Sequence, residues 1–186
     1  MLGCIILASG HSKRFGSDKL LHPLNGLPLC EHCFSVFSRV SFQSAAVVTR
    51  SGAVASLAGK YGFLPVMNHD STDDPAVTIR LGLSVMSTEM DGVMFCVADQ
   101  PFLKKESIVS LAQAFYREPN RIVRLAWRGK AGNPVLFPSS LLPELRSLPP
   151  GESGRYVIDG HRELVLFIDA QNERELKDID RPEDIS

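Results

Sequence analysis

Short apolar runs rich in β-formers alternate along this chain with segments whose apolar residues recur at helical spacing. That alternation limits the fold more than any other feature. Strands are predicted at residues 3–8, 44–49, 63–67 and 92–98, then at 121–126, 134–137 and 163–168. Between them, residues 26–40 and 52–60 read as helices. Asp74-Pro75 gives a strong helix start, Asp as cap and Pro in the first turn, leading through Ile79, Leu83 and Met86. Ile108, Leu111, Ala112 and Phe115 mark an amphipathic helix after Pro101, and Pro149-Pro150-Gly151 punctuates a loop before a short helix. Strands that alternate with helices in this way form a mostly parallel sheet with helices on both faces. At 186 residues the chain fits one domain, residues 1–186, large enough to bury a real core.

The first run breaks into Ser9-Gly10-His11-Ser12-Lys13-Arg14-Phe15-Gly16-Ser17-Asp18-Lys19. Glycines let backbone N–H groups turn toward a ligand and approach it closely, while Arg14 and Lys19 add full positive charge. This is the chemistry of a phosphate cradle, although the two commonest cradles are excluded. A Walker loop needs four residues between its glycines and Lys-Ser/Thr straight after the second; here five intervene, and Lys19 follows Gly16 by three. The dinucleotide fingerprint needs glycine where Ser12 stands. A basic surface turn is the bland alternative.

A second strand run ends in Asp99-Gln100-Pro101. In an open parallel sheet, ligands gather outside the carboxyl ends of the strands, which places Asp99 and the glycine loop on one edge. A carboxylate beside bound phosphates repels them unless a divalent ion sits between. Capping of the following turn is the competing role for Asp99.

Leu7-Ala8-Ser9-Gly10-x-Ser12-x-Arg14-Phe15-Gly16-x-x-Lys19 resembles the signature loop of the nucleotidyltransferases that attach a nucleoside monophosphate to molybdopterin. Ala98-Asp99-Gln100-Pro101 is similar to that family's metal-binding turn. Gly132-Asn133-Pro134-Val135-Leu136-Phe137, Gly151-Glu152-Ser153-Gly154-Arg155 and Asp178-Ile179-Asp180-Arg181-Pro182-Glu183-Asp184 follow in the family's order. The resemblance spans nearly the whole chain and points to the molybdenum cofactor cytidylyltransferases as the nearest branch. Relatives usually carry His where Asn133 stands, and Gly where Asp74 and Ala76 stand.

The resemblance implies a Rossmann-like three-layer α/β/α nucleotidyltransferase fold, with a small antiparallel part late in the chain. It implies Mg²⁺-dependent transfer of CMP from CTP to the phosphate of molybdopterin, with release of pyrophosphate. Positioning and charge neutralisation carry such a reaction. The loop of Leu7, Ala8, Ser9, Gly10 and Ser12 would wrap the triphosphate, with Arg14 and Lys19 offsetting charge on the leaving group. Asp99 would hold Mg²⁺, and Asp180 is the second candidate ligand or, equally, a helix cap. The segment of residues 68–82 would close over the base, with Asn68, Thr78, Arg80 and Gly82 on one side and Ala8 and Ser9 as the opposite wall. Partners so implied are a nucleoside triphosphate and a molybdopterin-type acceptor, then the apo-molybdoenzyme or a cofactor-delivery protein. Alternatives are a GTP donor, a sugar-phosphate or other small phosphorylated acceptor, and a non-catalytic nucleotide-binding regulator.

A formal net charge of −1 argues against a nucleic-acid or membrane-surface binder, which needs a basic excess. Neither a spanning segment nor a signal peptide is legible, so cytoplasmic residence is the expectation. Cys30-Glu31-His32-Cys33, with His22 upstream, has the spacing of half a zinc site. No second pair exists, because Cys4 and Cys96 fall inside predicted strands, so reduced thiols packed as small apolar groups are expected.

Overall fold

The computed structural model describes residues 1–10, 15 and 18–185. Its centre is β1 (Leu2–Ala8), a run buried on both faces, as a strand covered by helices on either side must be. Next come a short hairpin of β2 (Pro23–Leu24) and β3 (Leu27–Pro28), then α1 (Leu29–Phe37), β4 (Ser44–Thr49), α2 (Gly52–Lys60) and β5 (Leu64–Met67). The chain continues through α3 (Pro75–Ser84), β6 (Gly92–Val97), α4 (Lys105–Arg117), β7 (Ile122–Trp127) and β8 (Lys130–Pro138). It ends with α5 (Leu142–Arg146), α6 (Gly154–Gly160) and β9 (Val165–Asp169), with one-turn 3₁₀ segments between and after them.

Seven strands form one sheet in the order β5-β4-β1-β6-β8-β7-β9. The first four are parallel; β8 runs against both β6 and β7, and β9 is parallel to β7. A single strand is therefore reversed, which is the antiparallel part expected late in the chain. One core layer packs α1, α2 and α4 on the face carrying Cys4, Ile6, Val47 and Met94. The other packs α3, α5 and α6 on the face carrying Ile5, Val48, Phe95 and Phe137. The result is the three-layer α/β/α arrangement.

The expected helix over residues 26–40 is a correction. Asn25 and Gly26 both have positive φ, 50° and 85°, the two-residue hairpin turn that Asn-Gly favours. Residues 23–28 thus form a hairpin, and α1 begins only after Pro28. The expectation for the cysteines matches the molecule: Cys4, Cys30, Cys33 and Cys96 are free and buried. Burial, with the neighbouring Cys33, pushes the Cys30 thiol up to about 12, so it packs as a neutral group. Asp74 caps α3 by accepting from the Ala76 N–H at 2.8 Å, with Pro75 in the first turn.

Candidate active site

Register brings the carboxyl ends of three parallel strands together, Ala8 beside Thr49 and Leu7 beside Val97. There the chain must leave the sheet, and freed backbone groups face a cleft of about 220 Å³. Its lining gathers Leu7, Ala8, Ser9, Gly10, Lys19, Thr78 and Asp99 from the sequence reading, and adds Leu20, Asp73 and Pro75. Ser12 and Arg14 lie outside the described residues.

At one end of this cleft the charges are concentrated. Lys19 Nζ donates to Asp99 Oδ2 at 2.7 Å and to Asp180 Oδ1 at 3.0 Å. Asp180 is delivered by the C-terminal segment, which is pinned where the Ile179 N–H donates to the Asp99 carbonyl at 3.0 Å and the Ile179 side chain is fully buried. Burial alone would lower the proton affinity of Lys19, but Asp99 and Asp180 outweigh it and hold the ammonium above its ordinary value. A third carboxylate, Asp178, accepts from Gln100 Nε2 at 2.8 Å. Burial, then the charge of Asp99, raises its pKa. Sequence reasoning missed Asp178, although it stands in the same block as Asp180.

Asp99 Oδ1 is buried and has no hydrogen-bond partner among the described residues. A buried carboxylate oxygen left unpaired is costly unless a cation or donor meets it. Among the described residues no cluster of three His, Cys, Asp or Glu side chains forms a closed metal cage. Mg²⁺ does not require one, since it is held by one or two carboxylates with water and substrate phosphates completing its shell. The donor set of Asp99 and Asp180 fits that ion.

The wall opposite the strand ends is tied down by Arg50, a second residue the sequence did not reveal. Its Nε donates to the Ser9 carbonyl at 2.7 Å, and its remaining nitrogens donate to the carbonyls of Asp70 and Thr72. It fastens the segment before α3 to the loop after β1. The Ser9 hydroxyl donates to the Val48 carbonyl at 3.1 Å and so is turned into the protein. Asn68 is buried behind the wall, its amide donating to the Thr78 hydroxyl at 3.3 Å.

Two expected base-side residues take other places. Arg80 Nη1 donates to the Leu148 carbonyl at 3.1 Å, linking α3 to the loop after α5. Gly82 sits where α3 presses on the sheet: a Cβ there would lie 2.6 Å from Ile5 Cγ2 and 3.2 Å from Val48 Cγ2. Its small size serves helix–sheet packing.

A second cavity, about 260 Å³, adjoins the first and shares Leu7, Pro75 and Val97 with it. Asn133, Ser153, Gly154 and Arg155 line it, from the two blocks noted in the sequence, together with Arg124 from β7. The site is thus two chambers side by side along one face of the sheet.

Residues 4–165 match the family model described as the MobA-like NTP transferase domain. A molybdenum cofactor guanylyltransferase of Yersinia pestis (strain Pestoides F) is 31% identical over 178 residues, 93% of this chain and 83% of that protein. A relative from Aquifex aeolicus named "Probable molybdenum cofactor guanylyltransferase" is 29% identical over 123 residues, 65% of this chain, which spans 57% of that protein's length. In fold, the chain is similar to a homologue of Rv0371c from Mycobacterium sp. strain JC1, with TM-score 0.83, 20% identity and 98% and 92% of the two chains covered. A nucleotidyl transfer enzyme from Methanothermobacter thermautotroptrophicus gives TM-score 0.79 at 20% identity, over 99% and 94%. Both of these curated relatives are named for guanylyl transfer, whereas the Asp99-Gln100-Pro101 turn and the 132–137 and 151–155 blocks resemble the cytidylyl branch. The three-layer fold, the strand-end loop and the match over most of its length make this chain a member of the MobA-like NTP transferase family, a nucleotidyltransferase.

Proposed function

We propose that the protein transfers GMP from GTP to the phosphate of molybdopterin, with release of pyrophosphate. The observation that carries this reading is the Lys19–Asp99–Asp180 cluster at the mouth of the strand-end cleft, with Asp99 Oδ1 buried and without a hydrogen-bond partner among the described residues. The guanylyltransferase names of the relatives support GTP as the donor. In the reaction an acceptor phosphate oxygen bonds to the α-phosphorus, the bond from that phosphorus to the β-phosphate bridging oxygen breaks, and pyrophosphate leaves with the electron pair.

Backbone groups of Ser9 and Gly10 cradle the triphosphate, and Lys19 meets the charge that grows on the leaving group. Arg14 is assigned the same duty from the sequence. Asp99 and Asp180 would hold Mg²⁺, which when bound would supply the positive charge that lets a triphosphate lie beside carboxylates. Thr78 and Pro75 form the side wall of the donor cleft, and Arg50 keeps that wall against the β1 loop. The second chamber takes the acceptor. Residence in the cytoplasm and delivery of the product to an apo-molybdoenzyme or carrier belong to the same proposal. Among the described residues no helix is long and apolar enough to cross a membrane.

Pyrophosphate release measured with molybdopterin, Mg²⁺ and either GTP or CTP tests the proposal. GTP should be used well ahead of CTP, because a site that pairs with one base leaves buried groups unpaired with another. Faster release from CTP would restore the cytidylyl assignment; release from neither would overturn the reaction.

A further inference from the structure

The carboxyl edge of the sheet continues past the second chamber to a face that neither chamber uses. There β7 turns into β8 at Trp127-Arg128-Gly129-Lys130, with Arg128 and Gly129 at φ 47° and 82°. Asn or Gly takes the first of these left-handed positions at least cost, so a long cationic side chain is an expensive choice there. The Arg128 guanidinium lies over the Trp127 ring, 5.3 Å from its centre. Beside this tip runs the one-turn 3₁₀ segment Glu173–Leu176. Glu175 anchors it: its buried carboxylate accepts from the Lys104 N–H at 3.0 Å and the Gln171 N–H at 2.9 Å. Arg174, next to it in sequence, is exposed, and its guanidinium lies 4.0 Å over the centre of the Phe102 ring.

A groove of about 620 Å³ is lined here by Lys130, Asn172, Glu173, Arg174, Leu176 and Lys177. Three cations share it with one carboxylate, and that carboxylate, Glu173, meets Lys130 only in an exposed pair at 4.0 Å. Among the described residues, neither Arg128 nor Arg174 has a carboxylate partner. The whole chain carries 20 Lys and Arg against 21 Asp and Glu, so the positive excess is local to this face. Stacking fixes each guanidinium plane and leaves its N–H edge free, so little freedom is lost when a carboxylate docks on it. Arg and Trp are also the residue types that anchor protein–protein contacts.

We infer that this face docks a carboxylate-rich segment of another protein, with Arg128 and Arg174 as its anchors and Lys130 and Lys177 at the rim. A nucleic-acid duplex fits less well, because Glu173 interrupts the cations and a phosphate backbone needs an unbroken basic stripe. The groove shares the sheet edge with both chambers but none of their lining residues. The docking face is therefore independent of which donor and acceptor the chambers take.

Trp127 is the only tryptophan of the chain, so its emission reports on this face alone. The probe is a fluorescein-labelled, capped peptide of alternating Glu and Ala, with a Gln-Ala peptide of equal length as comparator. Titrated into the full chain, the Glu peptide should change Trp127 emission, gain anisotropy and bind at least tenfold more tightly than the Gln peptide. R128Q/R174Q should erase that advantage, and R128K/R174K should restore part of it. R174Q/K177Q, which leaves the hairpin tip intact, should reduce it severalfold and guards against a misfolded turn. R39Q/K60Q removes as much exposed charge from the opposite edge of the sheet and should leave the advantage unchanged. Equal affinity for the two peptides, or equal losses in R128Q/R174Q and R39Q/K60Q, would overturn the site. Tighter binding of a DNA duplex of equal charge would overturn the protein partner, as would dimerisation of the chain alone that R128Q/R174Q abolishes. The thermal shift given by GTP and Mg²⁺ should be the same in the parent and in R128Q/R174Q. Its loss in the variant would place the two arginines in the nucleotide site and overturn the docking face.

Discussion

On the β5-β4-β1-β6 side of the sheet, the groups that matter stand where strands end, on loops that need no regular pairing. On the β8-β7 side they project from within strands, as Arg124 and Asn133 do, or from the segment that starts α6. The first arrangement lets backbone N–H groups and charged side chains from separate loops converge on phosphates. The second fixes side chains at spacings set by strand register, which suits a rigid ring of defined length. The reversed strand β8 joins the two, carrying Asn133 into the second chamber beside β6. The division of labour proposed for the two chambers would thus follow from the change in strand direction.

The largest effects are expected at the strand-end cluster. Asp99→Ala should leave the fold intact and lower transfer by several kcal/mol, of the order of a thousandfold in turnover. Lys19→Ala should slow turnover by roughly 2–4 kcal/mol while weakening GTP affinity less, because leaving-group charge is greatest in the transition state. Steady-state kinetics beside GTP titration separates the two effects; equal losses would make Lys19 an affinity device and blur the contrast with the second chamber. Lys19 also links stability to pH. Because its folded pKa is raised above the ordinary 10.5, its contribution is complete below that value and is lost only as the pH climbs through the higher folded value. Chemical denaturation across pH 7–9 should therefore show no loss of stability that disappears in Lys19→Ala.

Gly82 tests a boundary of the donor side. A methyl placed 2.6 Å from Ile5 Cγ2 overpacks the α3–sheet contact, so Gly82→Ala should cost roughly 1–3 kcal/mol of stability. The folded fraction should keep its affinity for GTP; a selective rise in the KM for GTP at unchanged melting temperature would return Gly82 to the nucleotide site. The smallest effect is expected at Ser9, whose hydroxyl is bonded to the Val48 carbonyl. Ser9→Ala should cost about 1 kcal/mol of stability and leave the ratio of GTP to CTP use unchanged. A changed ratio would show that the hydroxyl turns to the base.

The donor half was the more legible in sequence for a physical reason. Its central strands, β1 and β6, are buried on both faces and read as continuous apolar runs, and the residues that follow them directly line the cleft. Asp74-Pro75 announced α3 because a cap and a first-turn proline are local signals. Asn25-Gly26 was the local signal overlooked, since strands of two residues give no period to recognise. Other features were beyond local reading. The pairing of Lys19 with Asp180 joins residues 161 apart, and only the resemblance brought Asp180 into the site. Arg124 follows buried Val123 and precedes buried Leu125, so in sequence it is one charged residue in an apolar strand. It becomes part of a chamber only through the register of β7 on β8.

The central claim, that a nucleoside monophosphate crosses from the strand-end cleft to an acceptor in the second chamber, is tested most directly by a single-turnover experiment. GTP labelled at the α-phosphate would be mixed with excess protein, Mg²⁺ and molybdopterin, and the products separated. The account predicts that the label appears on the acceptor in step with pyrophosphate. Label recovered as free GMP with none on the acceptor, or transfer of equal rate in Asp99→Ala, would contradict it.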